Sequence, residues 1–481
     1  MAIQLFIDAW CSFRSAEHVL ALFAKLTDVQ TPSYGSIRQW VYRLGYYCLK
    51  NAPLFNGKWV MILDHTVELG PEKCLVTLGV PLETFESGNY ALGHHDVRLL
   101  DLDIVTSSTG EQVYDAIEEV AGRYGAPVQI VSDHGSDIKK GVALFCSQKP
   151  ATIHTYDISH LVAALFKKAL KGDEQWDALV KAITQTGKKL NQTDLHFLAP
   201  PKQRTKARFM NLGLIINWIL RSLYYLKRKD FSEVGAGFCL TQQQATDLRA
   251  NNATSHLANL PDLAGKFYRT RDEFSEAART CIGKEAFAKF ESLILEQADL
   301  GGHKVKQALG WLDDYKESIE IYAEMQQVAQ TVMTIIKHKG LGISEFQELG
   351  GIMRALPLKS ERGQLFMKTV MGTVRDEALK IPFGETLLGC SDVIESLFGK
   401  YKHISGRSPG RTMGHLLLAL PLMTTSLTAD LVKQGMEKIR NLDLKQWADD
   451  RLGRSALAKK KEAFKGYRKR CEKPRELLAT L

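Results

Sequence analysis

Three acidic residues have the types and positions that metal-dependent phosphodiester chemistry requires. Asp64 follows the apolar run WVMIL at residues 59–63, and Asp133 follows the run VQIVS at residues 128–132. Both runs predict buried strands, and the ends of neighbouring strands bring side chains together at one edge of a sheet. Glu395 comes much later, in the helical segment SDVIESLFGKYK. Carboxylates that converge in this way can hold two divalent cations about 4 Å apart.

The helix that contains Glu395 also places a cation on the same face. Glu395 and Lys402 are seven residues apart, which is close to two helical turns, or roughly 10 Å along the axis. The carboxylate would bind metal while the ammonium contacts a neighbouring phosphate of DNA. Asp137 competes with Asp133, but Asp133 closes the strand and Asp137 is better placed to cap the next helix. Asp392 competes with Glu395 for the third position.

The segments between Lys58 and Tyr156 alternate between strand and helix patterns. Apolar or alternating runs predict five strands, at residues 59–63, 73–80, 97–105, 128–132 and 151–156. A helix over 110–124, with Thr109 and Gln112 as a capping box, lies between the third and fourth strands. Another helix, which runs through Leu144, lies between the fourth and fifth. This order predicts an α/β ribonuclease-H-like domain with a mixed five-stranded sheet.

The rest of the chain has helical periodicity. We therefore predict a catalytic domain that is interrupted by a large all-α insertion and flanked by helical N- and C-terminal segments. The predicted parts are a helix-turn-helix-like DNA-binding segment (1–52), the first part of the catalytic domain (53–170), the all-α insertion (171–376), the second part of the catalytic domain with the Glu395 helix (377–430) and a basic helical tail (431–481).

Basic residues in three other segments of the chain predict further contacts with DNA. In the segment 36–45, Arg38 and Arg43 lie opposite an apolar face, as in a recognition helix that enters a DNA groove. The loop at 200–208 has four cations and no acid, namely Lys202, Arg204, Lys206 and Arg208. The formal net charge is +9, and residues 451–476 contain eleven Lys or Arg against three Glu. Nearly the whole positive excess therefore lies in the tail, and this pattern fits both polyanion binding and a solvated basic helix.

Two tryptophans of the predicted insertion, Trp218 and Trp311, are candidates for stacking on an unpaired base at the cleavage site. Burial in a helical core is the more common fate of such residues, and Trp218 lies in the most apolar helical segment of the chain. His65 and His134 directly follow two of the acids, and the sequence assigns them no role.

The composition is that of an ordinary globular protein from a reducing compartment. The eight cysteines stand singly without a CxxC pair, so neither a zinc ribbon nor a disulfide framework is expected. Charged residues interrupt the apolar stretch at the N-terminus, unlike in a signal peptide, and polar residues interrupt the most apolar window, 209–226. We therefore expect a cytoplasmic, nucleoid-associated protein that has no contact with a membrane.

The three acidic motifs resemble those of the DDE transposases of bacterial insertion sequences, which are members of the retroviral integrase superfamily. The first acid lies in VMILDHT, the second in QIVSDHGSD and the third in SDVIESLFGKYK. Transposases of this group that make hairpin intermediates have a similar Glu-x6-Lys pair. Their usual Tyr and Arg before this Glu are not matched, since Ser391 stands in the place of the Arg. The resemblance favours Glu395 over Asp392 as the third acid.

A second resemblance lies directly after the fifth predicted strand, in the motif DISH at residues 157–160. Eukaryotic transposases of the hAT and Mutator groups have a Cys/Asp-x-x-His motif at this place and a large helical insertion before the catalytic Glu. The resemblance implies that Asp157 and His160 support the metal site from its periphery. Together the two resemblances cover about residues 58–170 and 385–405.

These resemblances imply a transposase that cleaves DNA at transposon ends and transfers the strands into target DNA. Asp64, Asp133 and Glu395 would be both catalytic residues and ligands of two Mg²⁺ ions, with Mn²⁺ as a substitute. The implied partner is double-stranded DNA, bound by a homodimer. Two alternatives stay open: a ribonuclease-H-like nuclease without strand transfer, and an inactive DNA-binding descendant of such an enzyme.

Overall fold

The computed structural model describes residues 1–27, 30–67, 72–85, 87–193, 195–201, 210–227, 304–406, 414–452, 461–462 and 464. The chain forms two compact units. The first unit consists of Met1–Leu165, Ala329–Pro357 and Met367–Leu481, and the second of Phe166–Val328 and Leu358–Phe366. The predicted insertion, 171–376, is wider than the second unit, because residues 329–357 and 367–376 group with the first.

Five strands of the described residues form one mixed sheet in the order β3-β2-β1-β4-β5. They are β1 (Trp59–Val67), β2 (Lys73–Pro81), β3 (Arg98–Val105), β4 (Gln129–Ser132) and β5 (Ile153–Tyr156). β1 pairs antiparallel with β2 and parallel with β4, β2 pairs antiparallel with β3, and β4 pairs parallel with β5. This mixed sheet with many helices is compatible with the predicted ribonuclease-H-like α/β domain.

The helices of the described residues follow the chain in this order: α1 (Ala2–Ile7), α2 (Phe13–Ala24), α3 (Tyr34–Lys50), α4 (Gly110–Tyr124), α5 (Ser136–Gln148), α6 (Ile158–Leu170), α7 (Glu174–Leu190), α8 (Met210–Lys227), α9 (Lys316–Lys339), α10 (Ile343–Arg354), α11 (Glu361–Ala378), α12 (Asp392–Ser405), α13 (Leu420–Met423), α14 (Ala429–Lys438) and α15 (Asn441–Arg451). In the part of the chain that the structure describes, none of these helices is both long and apolar enough to cross a membrane.

Strand β1 is longer than its apolar run predicts. It was expected to end before Asp64, but it continues to Val67 because Asp64 to Val67 pair with β2. The pairing of β1 with β4, however, ends at Leu63 and Ser132. Asp64 therefore lies inside a strand with respect to β2 and directly beyond the last pair with respect to β4.

The two faces of the sheet pack against different helices, because successive side chains of a strand point to opposite faces. On the first face, Val60, Ile62 and Val131 belong to a core that includes Leu397 of α12 and Leu44 of α3. On the second face, side chains of the alternate strand positions pack against α4 and α5; they include Met61, Leu63 and Ile130. Asp64 continues the first series and His65 the second, so these neighbours face opposite sides of the sheet.

Helix α4 begins and ends where the sequence predicts. Thr109 caps its first turn, since Thr109 Oγ1 accepts a hydrogen bond from the Gln112 amide at 3.3 Å. The Gln112 side chain returns the contact by accepting from the Thr109 amide at 3.0 Å. The predicted capping box is confirmed, and it fixes the start of the helix that covers the second face.

Candidate active site

The register of the parallel strands places two predicted acids side by side. Leu63 and Ser132 form the last pair of β1 and β4, and Asp64 and Asp133 are the next residues of each chain segment. Ile62 points to the first face, so alternation directs the Asp64 carboxylate to that face as well, and Asp133 lies close enough for its charge to act on Asp64. Each carboxylate accepts a nearby amide: Asp64 from His65 at 2.7 Å and Asp133 from Gly135 at 3.2 Å.

The segment before α12 is held against the sheet by the buried side chain of Gln129 in β4. Gln129 Nε2 donates to the Leu388 carbonyl and to Thr155 Oγ1, both at 2.7 Å. Gln129 Oε1 accepts from the Leu388 amide at 3.1 Å. One amide side chain thus satisfies both backbone groups of a residue 259 positions away, and it positions the chain that leads to Glu395.

Asp157 makes a second connection between these distant segments. Its carboxylate is buried and accepts hydrogen bonds from the amides of Ser159 and His160 at 2.7 and 3.2 Å, which caps the start of α6. It also accepts from the Ser391 amide at 2.8 Å and from the Ser391 hydroxyl. Burial raises the pKa of Asp157, while the charge of His160 and the hydrogen bonds from Ser391 lower it. One carboxylate therefore joins the starts of α6 and α12.

His160 contacts Glu395 directly. His160 Nε2 lies 2.8 Å from Glu395 Oε1, and the two side chains are 33% and 26% exposed. Burial lowers the pKa of His160, but the hydrogen bond to Glu395 and the negative charges of Asp157, Glu395 and Asp64 outweigh it and raise the pKa to about 9. His160 is therefore an imidazolium near neutral pH, and it holds the Glu395 carboxylate.

The electrostatics of Asp64 reflect the proximity of these groups. Burial, the negative charge of Asp133 and, to a smaller extent, that of Glu395 raise the pKa of Asp64. The charge of His160 and the hydrogen bond from the His65 amide lower it, and the resulting pKa is about 7. Asp64, Asp133 and Glu395, which we call the acid cluster, are thus close enough for their charges to act on Asp64. Three carboxylates beside one imidazolium leave an excess of negative charge that a cation would balance.

The two competing acids have partners elsewhere. Asp137 Oδ2 lies 3.1 Å from His65 Nε2, on the second face of the sheet. Asp137 also does not cap α5 as predicted, because the N-cap residue is Gly135 and it makes no side-chain cap. Asp392 accepts from Ser159 Oγ at 3.0 Å and forms an ion pair with Lys337 at 2.8 Å. Asp133 and Glu395, by contrast, are acids whose charges raise the pKa of Asp64.

The residues present fit a divalent cation by donor type and by charge. Carboxylate oxygens are the ligands that Mg²⁺ prefers, and burial together with the negative charges of Asp133 and Glu395 raises the pKa of Asp64. As the side chains stand, no three His, Cys, Asp or Glu residues of the described segments converge closely enough to enclose an ion. Glu395 is bound to His160, so it would have to share its carboxylate between the imidazolium and a metal.

The predicted DNA-binding residues of α3 and α12 differ in their surroundings. Lys402 is exposed on α12, with its Nζ 6.0 Å from the centroid of the Phe398 ring. Arg38 is exposed on α3. Arg43, for which we predicted a DNA contact, instead donates to the Ile439 carbonyl at 2.5 Å and to the Met436 carbonyl. Its guanidinium caps the C-terminal end of α14, where cations are favoured, because α3 packs against that helix.

The remaining predicted contacts lie in the second unit or outside the described residues. The indole N–H groups of the two half-buried tryptophans already have backbone acceptors: Trp218 donates to the Leu198 carbonyl at 2.8 Å and Trp311 to the Ala308 carbonyl at 3.1 Å. The basic loop residues Lys202, Arg204, Lys206 and Arg208, and most of the basic tail, lie outside the described residues. Base stacking and these cationic contacts stay predictions.

Sequence reasoning missed the role of Gln129 and the function of Ser391 as a partner of Asp157. A signal for Gln129 was present, since it is a polar residue inside the apolar run VQIVS, and a buried polar side chain needs hydrogen-bond partners. The identity of those partners could not be read from the sequence, because they lie 259 positions away.

Among the comparisons with known proteins, only the search of solved structures gives matches. No protein-family model matches the chain, and no curated protein matches it. Among solved structures, the chain is similar to the Drosophila P element transposase strand transfer complex, with a TM-score of 0.33 and 11% sequence identity over 89% of this chain and 91% of that chain.

Proposed function

We propose that this protein is a DNA transposase with a ribonuclease-H-like catalytic domain, in which Asp64, Asp133 and Glu395 bind two Mg²⁺ ions. The observation that supports this most is that Asp133 and Glu395 lie close enough to Asp64 for their charges to raise its pKa. Two acids come from adjacent parallel strands at the same register, and the third comes from a helix that Gln129 and Asp157 bring to them. A chain that only needed a stable fold would gain nothing from crowding three carboxylates, since their repulsion is unfavourable.

Each residue has a defined part in the proposed reaction. The acid cluster supplies oxygen ligands at the carboxyl edge of the sheet, and bound cations there would activate the attacking oxygen and stabilise the leaving oxygen. His160 holds Glu395 in position by the contact of 2.8 Å. Lys402 attracts a phosphate of the DNA backbone close to the scissile bond. Mn²⁺ replaces Mg²⁺, because it also accepts oxygen ligands.

DNA binding and assembly are further parts of the proposal. The substrate is double-stranded DNA at the transposon ends and in the target, bound by a homodimer in the nucleoid. The support is electrostatic: the net charge is +9, and eleven Lys or Arg against three Glu lie between residues 451 and 476. An origin in a bacterial insertion sequence and base readout by Arg38 are also part of the proposal. The proposed chemistry does not depend on them, and it is the same for copy-out and for cut-and-paste transposition.

The test uses the full-length protein and a DNA that contains the gene for this protein together with the flanking sequence on both sides. With Mg²⁺ or Mn²⁺ the protein should nick this DNA and join the released 3′ ends to a second, labelled DNA. Asp64→Ala, Asp133→Ala and Glu395→Gln should each abolish both products while DNA binding survives. Glu437→Gln is the matched control, because Glu437 is exposed on α14 and has no part in the site. Near-normal cleavage by the Glu395→Gln protein would overturn the assignment.

The same assay separates the alternatives. Metal-dependent cleavage without joined products would identify a nuclease of this fold that lacks strand transfer. DNA binding without cleavage under any divalent cation would identify a DNA-binding descendant. Both outcomes reject a transposase, but the first keeps the metal site and the second does not.

A further inference from the structure

Helix α12 presents an exposed face that begins at the acid cluster. Ser396, Gly399, Lys402 and His403 recur at helical spacing on this face. The other side of the helix is buried in the core, with Ile394, Leu397, Phe398 and Tyr401. From Glu395 to His403 the face is about 12 Å long, the axial length of roughly three to four nucleotides of a DNA strand.

Positively charged and basic groups line this face. Lys400 and Lys402 belong to the helix itself, and His94 reaches it from the loop between β2 and β3, with Nε2 3.0 Å from Ser396 Oγ. Burial lowers the pKa of His94, and the nearby charges of Lys400 and His95 lower it further, so His94 is a neutral hydrogen-bonding group close to Lys400. The acids nearby are Glu395, which is paired with His160, Asp392, which is paired with Lys337, and Asp96, which accepts the Gly93 amide at 2.7 Å. The face as a whole attracts anions.

Gly399 keeps the middle of this face free of any side chain. A glycine inside a helix lowers stability, so it usually has a packing reason. Here a Cβ at Gly399 would meet no atom within 4 Å, and packing within the chain does not require the glycine. The open space lies between Glu395 and Lys402, where a phosphate backbone could approach the helix closely.

Trp10 stands at the far end of the face. It has φ 55° at the end of α1, in the left-handed region that glycine normally occupies after a helix. The surroundings hold it there, since the Cys11 amide donates to the Leu5 carbonyl at 2.9 Å. The indole is 37% exposed, and its ring centroid lies 4.6 Å from that of His403. An unfavourable backbone conformation thus places an aromatic plane beside the last turn of α12.

We propose that this face, from Glu395 to His403 together with His94 and Trp10, is the track for the DNA strand that continues from the scissile phosphate. The inference rests on the proposed function and extends it to residues that no acidic motif identifies. The phosphates run past His94, Lys400 and Lys402 over Gly399, and a base at the end of the track stacks on Trp10. Aromatic planes bind bases of any sequence in this way, so the track binds without sequence preference.

The first test places a negative charge in the open space. Gly399→Glu should fold at least as stably as the wild type, because glutamate favours a helix more than glycine does. It should nevertheless weaken DNA binding by roughly 10-fold or more, since its carboxylate repels the phosphates. Gly122→Glu is the matched control: Gly122 is a glycine of α4, on the opposite face of the sheet, and a Cβ there also meets nothing within 4 Å. Its affinity should stay within about twofold of the wild type.

The second test removes the indole without straining the backbone. Trp10→Gly suits a positive φ, so relief of the backbone strain should offset part of the loss of packing against His403, and the variant should weaken DNA binding by about 10-fold. Trp10→Phe should recover part of this loss, because it keeps an aromatic plane. Phe383→Ala, which removes another exposed aromatic ring outside the predicted DNA-binding segments, is the control and should bind normally. Wild-type protein should also crosslink to an oligonucleotide that contains 5-iododeoxyuridine, and Trp10→Gly should not.

Affinity is measured by anisotropy of labelled DNA with Ca²⁺ in place of Mg²⁺, so that binding is read without cleavage. If Gly399→Glu and Trp10→Gly bind and cleave DNA like the wild type while Asp64→Ala is inactive, the transposase stands and the track is wrong. If both variants lose affinity but the wild type cleaves no DNA with any divalent cation, the track stands and the proposed activity is wrong.

Discussion

At the scale of single residues, the site depends on carboxylates that accept hydrogen bonds from more than one segment of the chain. Asp157 illustrates this, since four donors converge on its two oxygens and come from segments 234 positions apart. The resemblance of the DISH segment to a Cys/Asp-x-x-His motif implied a supporting role for Asp157 and His160. It did not reveal Ser391 as the partner, since only the folded chain brings residue 391 to the start of α6.

His160 provides a prediction at this scale. His160→Ala should lower cleavage and Mn²⁺ affinity by about 10- to 100-fold, because Glu395 loses the group that orients it. His160→Gln, which keeps an N–H donor, should recover part of the loss. The split between KM for DNA and kcat distinguishes orientation from DNA binding: kcat should fall while KM stays near the wild-type value. A KM effect with unchanged kcat would contradict a positioning role.

The stability of the metal-free protein gives an independent readout of the same contact. The pKa of His160 is raised to about 9 in the folded chain, above the value of about 6.5 in an unfolded chain. Its contribution to stability is therefore fully present below pH 6.5 and is lost as the pH rises through about 9. Urea unfolding between pH 6 and 10 should show this loss in the wild type and a flatter profile in His160→Gln.

At the scale of elements, the sequence predicted those helix and strand bounds that depend on interactions between neighbouring residues of the chain. Helix α4 has its capping box and its bounds as expected, because all of the relevant interactions lie within one segment. Strand β1 extends beyond its apolar run because Asp64 to Val67 find partners in β2. Helix α3 continues to Lys50 because its last turns are buried in the core beside α14. Pairing and packing of this kind are set by distant residues, so periodicity alone did not reveal them.

The same limit explains the outcome for Arg43. Helical periodicity correctly separated Ile37, Val41 and Leu44, which are buried, from the polar side of α3. It could not show that α14 packs against part of that polar side and offers carbonyl groups to the guanidinium. Arg38, one turn earlier, stays exposed.

Gln129 provides the prediction at the element scale. Gln129→Met keeps the volume but leaves the Leu388 amide and carbonyl without side-chain partners, so unfolding should become easier by about 2–4 kcal/mol. Cleavage should fall more than DNA binding does, because the segment before α12 loses its attachment to β4. Gln112→Met is a suitable control, since Gln112 only caps α4. A Gln129→Met protein with wild-type stability and activity would show that the attachment is dispensable.

At the scale of the whole molecule, the fold brings the three carboxylates of the acid cluster close together. In the metal-free chain the positive charge of His160 offsets only part of their repulsion. The five-stranded sheet and the return of α12 to its first face create this arrangement, which two strand-end aspartates alone only suggested. Glu395 was predicted as the third acid from its Glu-x6-Lys spacing together with the resemblance, but its position beside the other two depended on contacts across 259 and 234 positions.

Binding of a divalent cation should therefore stabilise the whole chain. A ligand that binds only the folded state adds about 2.7 kcal/mol at a concentration 100 times its Kd, so Mn²⁺ or Mg²⁺ at millimolar levels should raise Tm measurably and a chelator should reverse it. Asp133→Asn removes both a ligand and part of the repulsion, so this variant should be at least as stable as the metal-free wild type and should respond weakly to Mn²⁺. Asp137→Asn, whose partner is His65 on the other face, should retain the full Mn²⁺ response. A wild-type Tm that is insensitive to divalent cations would mean that the acid cluster binds no metal before DNA arrives, and a second titration with DNA present would then have to show the shift for the site to stand.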